Sequence, residues 1–210
     1  MSEEKINNVI SKNEEYLKVY EINESVDELL GLLQLSDYDQ LKFKNIVSEK
    51  RKLEFLGIRL AFKELFGTEK DIRYDSDGKP FFNDNSYKIS VSHSKKWVAV
   101  IAHPIRQVGV DIECRTDKIQ KIYKRFLSEI EQDELSNGQN ISQLLLAWSA
   151  KETLFKIIGN EAVDFSKQLR IFPFEIKDQG EITAEHIQTK TNYKLSYIQT
   201  SSYTLVWCLS

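Results

Sequence analysis

Asp111 and Glu113 stand two residues apart in the segment Gly109-Val-Asp-Ile-Glu113. Alternate residues of a β-strand share a face, so both carboxylates point to one side and Val110 and Ile112 to the other. Two acids on one face repel, and a lysine, an arginine or a divalent cation usually compensates; a strand end with two solvated acids is the plainer alternative. A third acid, Glu152, lies in Trp148-Ser-Ala-Lys-Glu-Thr-Leu-Phe-Lys156. Its surroundings include Leu144, Leu145, Leu146, Ala147, Ala150, Leu154, Phe155, Ile157 and Ile158, a helical run apolar enough to be largely buried. Glu152 and Lys156 are four residues apart in the favourable order for an ion pair, which alone could explain them. Yet charge on a buried helix is costly unless it has partners.

Three further segments carry groups suited to phosphate. Ser90-Val-Ser-His-Ser-Lys-Lys96 sets hydroxyls, His93 and two lysines at a strand end. Gly78-Lys79-Pro80 has the chemistry of a turn, and Lys50-Arg-Lys-Leu-Glu-Phe-Leu-Gly-Ile-Arg59 is a helix with several cations. Each has a structural reading as a turn, a solvated face or a satisfied histidine. Together, three acids and scattered Lys, Arg, His and Ser suggest metal-assisted phosphoryl chemistry, because magnesium takes one or two carboxylates plus substrate phosphate oxygens.

These residues need elements to place them. Tyr16 to Ile22 alternates as a strand, and Ser25-Val-Asp-Glu28 is a capping box that opens a short helix through Leu33. Lys50 to Phe66 has Leu53, Leu56, Leu60 and Ala61 on one helical face, with Gly67 where a C-terminal cap belongs. Asp75 to Pro80 is a turn, and Tyr87–Ser92, Trp97–Ala102 and Gln107–Glu113 are three successive strands. Ser128-Glu-Ile-Glu131 and Asn140-Ile-Ser-Gln143 are two more capping boxes, the second opening a helix that ends at Gly159. Leu169–Ile176, Tyr193–Gln199 and Tyr203–Leu209 read as strands. Helices followed by a small antiparallel sheet in each half predict an α+β protein with two similar halves, 1–105 and 106–210.

The 210 residues suffice for one large domain or two small ones, and 41% hydrophobic with 29% charged is an ordinary globular mixture. No apolar run approaches the ~20 residues of a membrane helix. The first residues, MSEEKINNVISKNEEY, contain no signal-peptide core. Cys114 and Cys208 form no metal or disulfide pattern, so a reduced cytoplasm is the expected setting. A net charge of −3 gives nucleic-acid binding no support. Basic charge is local: in a helix over Asp117–Phe126, Ile119, Ile122 and Phe126 share one face, while Lys118, Lys121, Lys124 and Arg125 form another. That face is either solvated or a docking surface for an acidic partner.

In order and spacing these motifs resemble the 4'-phosphopantetheinyl transferase family. GVDIE at 109–113 and WSAKETLFK at 148–156 are the most specific, with KRKLEFLGIR at 50–59, DGKPFF at 77–82, ISVSHS at 89–94 and RFLSEIE at 125–131 in support. The resemblance spans roughly residues 50–175, and the length is similar to the two-halved, surfactin-type branch. It implies two pseudo-symmetric α+β halves with coenzyme A in a cleft between them. It implies that Asp111, Glu113 and Glu152 bind magnesium, that Glu152 or a water it orients is the base for a serine, and that Lys156 stabilises the transition state or leaving group. Lys79, Ser92 and His93 match positions that hold coenzyme A phosphates, and Pro80 beside Lys79 is a further implied cofactor contact. Arg59 matches a reader of the 3'-phosphate, with Arg51 beside it. The implied partner is an apo acyl or peptidyl carrier protein, and the implied state is a monomer. One departure is the family's Gly-x-Gly after the second motif, where this chain has Gly159-Asn160-Glu161. A magnesium-dependent phosphatase or nucleotide hydrolase would use the same acids with water as nucleophile. A non-catalytic coenzyme A or carrier-binding module would need neither a base nor Lys156.

Overall fold

A computed structural model describes residues 10–12, 15–135, 138–159 and 164–210. The chain is α+β and divides into two compact units, Met1–Gln107 and Val108–Ser210. Asn160-Glu161, where the glycine pattern departs, lies outside the described residues.

The first unit holds strands β1 (Ile10–Lys12), β2 (Glu15–Glu21), β5 (Lys88–Ser94) and β6 (Trp97–His103) in an antiparallel sheet of order β1-β2-β6-β5. A separate hairpin joins β3 (Ile72–Tyr74) to β4 (Pro80–Phe82). Its turn contains Gly78 at φ 79°, a left-handed conformation that glycine adopts without penalty. Helices α1 (Val26–Leu32), α2 (Asp37–Lys44) and α3 (Glu49–Phe66) complete the unit. The Ser25–Glu28 capping box forms as expected, and α3 runs from the Ser48 cap to Gly67 at φ 71°. Leu56, Leu60, Ala61 and Phe62 of α3 are buried with Ile89, Val98, Val100 and Ala102 of the sheet. Sequence patterning missed α2, whose polar sequence DYDQLKFK carries little apolar periodicity.

The second unit contains β7 (Val108–Cys114), α4 (Ile119–Phe126), α5 (Glu129–Glu134), α6 (Ile141–Ile158), α7 (Phe165–Gln168), β8 (Leu169–Ile171), β9 (Gln179–His186), β10 (Thr191–Gln199) and β11 (Tyr203–Leu209). Its five-stranded antiparallel sheet has the order β7-β11-β10-β9-β8. The apolar side of α6, with Leu144, Leu146, Ala147, Ala150 and Leu154 at 0% exposure, forms a core with Ile182, Ala184, Leu195 and Val206. Asn140 caps α6 by accepting from the Gln143 amide, and α6 ends at Gly159, at φ 97°.

The expected strand Leu169–Ile176 stops at Ile171 instead. Pro173 has no N–H for a ladder, which fits the early end. The strand that follows, β9, was missed because its outward positions carry Glu181, Thr183 and Glu185 and its buried side has two apolar residues, Ile182 and Ala184, beside the polar His186.

Candidate functional site

The site of the second unit is built where α6 lies against β7. Gly109 makes the close approach possible: a Cβ there would lie 2.3 Å from the carbonyl oxygen of Thr153 and 2.9 Å from Ile157 Cγ1. Because strand side chains alternate, Asp111 and Glu113 lie on the same side of β7 as that missing Cβ, the side facing α6. Two polar clips hold the helix to the sheet. Thr153 Oγ1 donates to the Val206 carbonyl at 3.1 Å, and Lys156 Nζ donates to the Val110 carbonyl at 2.7 Å.

Lys156 Nζ also lies 3.0 Å from Asp111 Oδ1, so the lysine pairs with the strand acid and not with Glu152. Glu113 accepts from the Trp148 indole N–H at 3.2 Å. Phe126 and Phe165 pack edge-on and tilted against that indole. Glu152 is half-buried, and among the described residues no hydrogen bond or ion pair reaches its carboxylate. Burial and then the charges of Asp111 and Glu113 push its carboxyl up to about 7, with Lys156 opposing. A carboxylate poised there can accept a proton near neutral pH.

One residue back along α6, Lys151 is completely buried. Its ammonium meets Glu131 at 2.7 Å and the carbonyls of Phe126, Phe165 and Leu169 at 2.8, 2.9 and 2.8 Å. Burial lowers it to about 8 although Glu131 opposes the shift. Glu131 also completes the expected Ser128 capping box and accepts from the Ile171 amide at 2.7 Å. Sequence reasoning had not singled out Lys151. The signal was present: a lysine inside so apolar a helix must find a carboxylate, and Glu131 is the acid of the neighbouring cap.

The structure thus gathers Asp111, Glu113, Glu152 and Lys156. The remaining expected residues all lie in the first unit. Arg51 is exposed in the first turn of α3, and Lys79 and Pro80 are half-buried at the β3–β4 turn. Ser92 and His93 occupy adjacent positions of β5 and therefore opposite faces; Ser92 is buried, and His93 Nδ1 lies 3.4 Å from Glu54 Oε1. Arg59 is 4% exposed and donates to Asp39 at 2.6 Å and to the Phe55 carbonyl at 2.9 Å. Its guanidinium also stacks on the Phe55 ring. A hollow of about 370 Å³ in this unit is lined by Ser36, Asp39, Arg59, Lys70 and Asp71, all remote in sequence from the acids of β7 and α6.

Among the described residues, no group of three or more His, Cys, Asp or Glu is arranged to hold a metal ion. The donor chemistry nevertheless fits magnesium. Asp111 and Glu113 act electrostatically on Glu152, all three offer hard oxygen ligands, and magnesium uses only one or two carboxylates when substrate phosphates supply the rest.

Residues 107–208 match the family model of the 4'-phosphopantetheinyl transferase superfamily. The matched stretch contains all four gathered residues. A holo-[acyl-carrier-protein] synthase of Staphylococcus saprophyticus is 35% identical over 74 residues, covering 28% of this chain and 64% of that protein's length. No helix among the described residues is long and apolar enough to cross a membrane.

Proposed function

We propose that this protein transfers the 4'-phosphopantetheine arm of coenzyme A to a serine hydroxyl of an apo acyl or peptidyl carrier protein and releases adenosine 3',5'-bisphosphate. The observation that carries the reading is the half-buried Glu152 carboxylate. No hydrogen bond or ion pair reaches it among the described residues, and it stands on the helix packed against the Asp111 and Glu113 face of β7. The family match over residues 107–208 and the name of the Staphylococcus relative support the same chemistry.

In this reading Glu152, directly or through a water, takes the proton of the carrier serine as its oxygen bonds to the pantetheine-side phosphorus and the bond to the departing bisphosphate breaks. Lys156, held on the Val110 carbonyl and 24% exposed, presents its ammonium to the phosphate oxygens as charge builds. Asp111, Glu113 and Glu152 would hold magnesium, which when bound neutralises the pyrophosphate and polarises the phosphorus. Trp148 orients Glu113. Arg51, Lys79, Pro80, Ser92 and His93 are the proposed coenzyme A contacts. Arg59 belongs to that set by resemblance, although its guanidinium is occupied by Asp39. The chain is further proposed to be a cytoplasmic monomer of the two-halved, surfactin-type branch, a setting compatible with two buried cysteines, Cys114 and Cys208.

The test is to incubate the protein with coenzyme A, magnesium and a panel of apo carriers, and to weigh the carriers by mass spectrometry. A gain of one phosphopantetheine arm is expected. Release of adenosine bisphosphate without any carrier would favour the phosphatase or hydrolase reading. Coenzyme A binding with neither product would favour a binding module.

A further inference from the structure

Lys151 uses every proton of its ammonium. The acceptors come from four places: the last residue of α4 (Phe126), the capping acid of α5 (Glu131), the first residue of α7 (Phe165) and the first residue of β8 (Leu169). The two Glu131 oxygens continue the network. Oε2 accepts from the Ser128 amide and hydroxyl at 2.8 and 2.9 Å, and Oε1 from the Ile171 amide. One side chain of α6 therefore fixes the ends of every short element around it.

Stability alone explains such a cluster poorly, because a buried ion pair is often no better than apolar residues of equal volume. What the cluster supplies is position. Carbonyl oxygens and a carboxylate around one ammonium define a single placement of α6 along its axis and about it. A slide or rotation of α6 would separate charge from partner in a dry interior. The neighbours of Lys151 are the groups for which placement matters: Glu152 follows it, Trp148 one turn earlier reaches Glu113, and Lys156 reaches Asp111.

We propose that Lys151 is a positioning residue: through Glu131 and the Phe126, Phe165 and Leu169 carbonyls it sets α6 so that Glu152 and Lys156 face β7, and it anchors the C-terminal end of the basic helix α4. The proposal rests on the transferase reading for its effect on turnover, but its structural half stands apart from that reading. Lys151 touches no reacting atom.

The full-length Lys151→Met protein tests it, with hydrogen exchange and steady-state kinetics measured well below the melting temperature. Amides of residues 119–127 and 165–171 should exchange at least about ten-fold faster while β10 and β11 keep their protection. Turnover should fall at least about ten-fold with the KM for coenzyme A within about two-fold of wild type, since only the reacting geometry is disturbed. Unchanged turnover in a folded Lys151→Met protein, or exchange that rises evenly over the whole sheet, would overturn the proposal. Should Lys151→Met not fold, Glu131→Gln removes the charge and replaces one of the two acceptor oxygens by a donor. It should show the same pattern at about three-fold, and wild-type exchange in α4 and α7 would overturn the idea. If the wild-type protein modifies no carrier, the transferase reading fails and exchange alone decides the positioning role.

Discussion

Helices α3 and α6 are built alike and treat charge differently. Each has 18 residues, a side-chain cap at its start and a glycine of positive φ at its end, and each packs on a sheet of its own unit. The buried charges of α3 have partners inside their unit: Arg59 meets Asp39 at 2.6 Å, and Glu54 lies 3.4 Å from His93 and 3.5 Å from Lys50. Helix α6 satisfies Lys151 in the same way, but no hydrogen bond or ion pair reaches Glu152 among the described residues. Buried charge by itself therefore does not mark a working residue. A half-buried carboxylate that no hydrogen bond or ion pair reaches is the stronger candidate, because burial and the charges of Asp111 and Glu113 raise its proton affinity more than Lys156 lowers it.

The sharpest way to break this comparison is to neutralise one glutamate from each helix. Glu152→Gln should lower turnover by about 10²- to 10⁴-fold, the range of a general base, and leave the circular dichroism unchanged. Glu54→Gln should cost only a few-fold. Equal losses would mean that a partnered acid matters as much as an unpartnered one. Arg59→Ala comes next. Removing one member of a buried pair should destabilise the first unit by about 3–5 kcal/mol in urea denaturation. At low temperature, where the unit stays folded, coenzyme A affinity should fall if the guanidinium also contacts the cofactor and stay unchanged if it serves only Asp39. If the variant instead stays stable and loses its preference for coenzyme A over dephospho-coenzyme A, Arg59 reads the 3'-phosphate as the resemblance implies.

Two glycines sharpen the contrast in packing. At Gly109 a methyl would meet the Thr153 backbone carbonyl at 2.3 Å, which cannot move without shifting α6. Gly109→Ala should cost about 2–3 kcal/mol and turnover as well. At Gly57 of α3 the nearest atom is the Cδ1 end of Ile22 at 2.6 Å, which can rotate away. The helix propensity gained by Gly57→Ala, about 1 kcal/mol, should offset much of that clash. Denaturation midpoints check both, and a larger loss at Gly57 would reverse the account of which helix is held rigidly.

Much of this was legible in the sequence, for reasons that differ by residue. Ser25, Ser128, Gly67 and the 109–113 alternation are local signals, and local geometry settled them. Asp111, Glu113, Glu152 and Lys156 were singled out by type and spacing, and the fold brings them together. What failed to show depends on contacts distant in sequence. Asp39, twenty residues before Arg59, pairs with its guanidinium, a contact that no local pattern announces. Lys151 belongs to Glu131, and Lys156 pairs across to β7 although the four-residue spacing suggested Glu152. Ser92 and His93 are neighbours in the motif, and their alternation on β5 puts them on opposite faces, so they would meet a ligand from different sides.

Titration gives a milder test of the lone carboxylate. Glu152 is raised from 4.5 to about 7, so between those values the folded protein keeps a proton that the unfolded chain has released. Stability in metal-free buffer should therefore fall as pH rises from about 4.5 to 7, by on the order of 3 kcal/mol at most and less as water reaches the group. Asp164, held at about 2, and Lys151, at about 8, act outside that window. Glu152→Gln should flatten the slope. Magnesium should raise the melting temperature of the wild type more at pH 7.5 than at pH 5, since a bound cation favours the charged form. A magnesium response independent of pH, or equal in Glu152→Gln, would count against this carboxylate as a ligand.

The smallest expected effect concerns α4, where the bland explanation can be separated from the functional one residue by residue. Lys118, Lys121, Lys124 and Arg125 are exposed, while Ile119 and Phe126 are buried. Lys124 and Arg125 sit in the last turn, where cations favour the helix dipole by about 0.3–1 kcal/mol, so they have a structural reason to be there. Lys118 does not. It stands at the N-terminal end, where a cation opposes the dipole, and its side chain makes no capping bond. A lysine kept at a local disadvantage is the better candidate for contact with an acidic carrier. Lys118→Glu should therefore raise the melting temperature slightly while raising the KM for the carrier about two- to three-fold, with the KM for coenzyme A unchanged. Reversal of Lys118, Lys121 and Arg125 together should raise the carrier KM several-fold. Added salt should also weaken carrier binding to the wild type more than to the reversed protein, because salt screens an attraction in the first and a repulsion in the second. If the Lys118→Glu protein gains stability but keeps its carrier KM, and salt weakens carrier binding equally in wild type and triple reversal, then α4 is a solvated surface and its charge answers only to the helix.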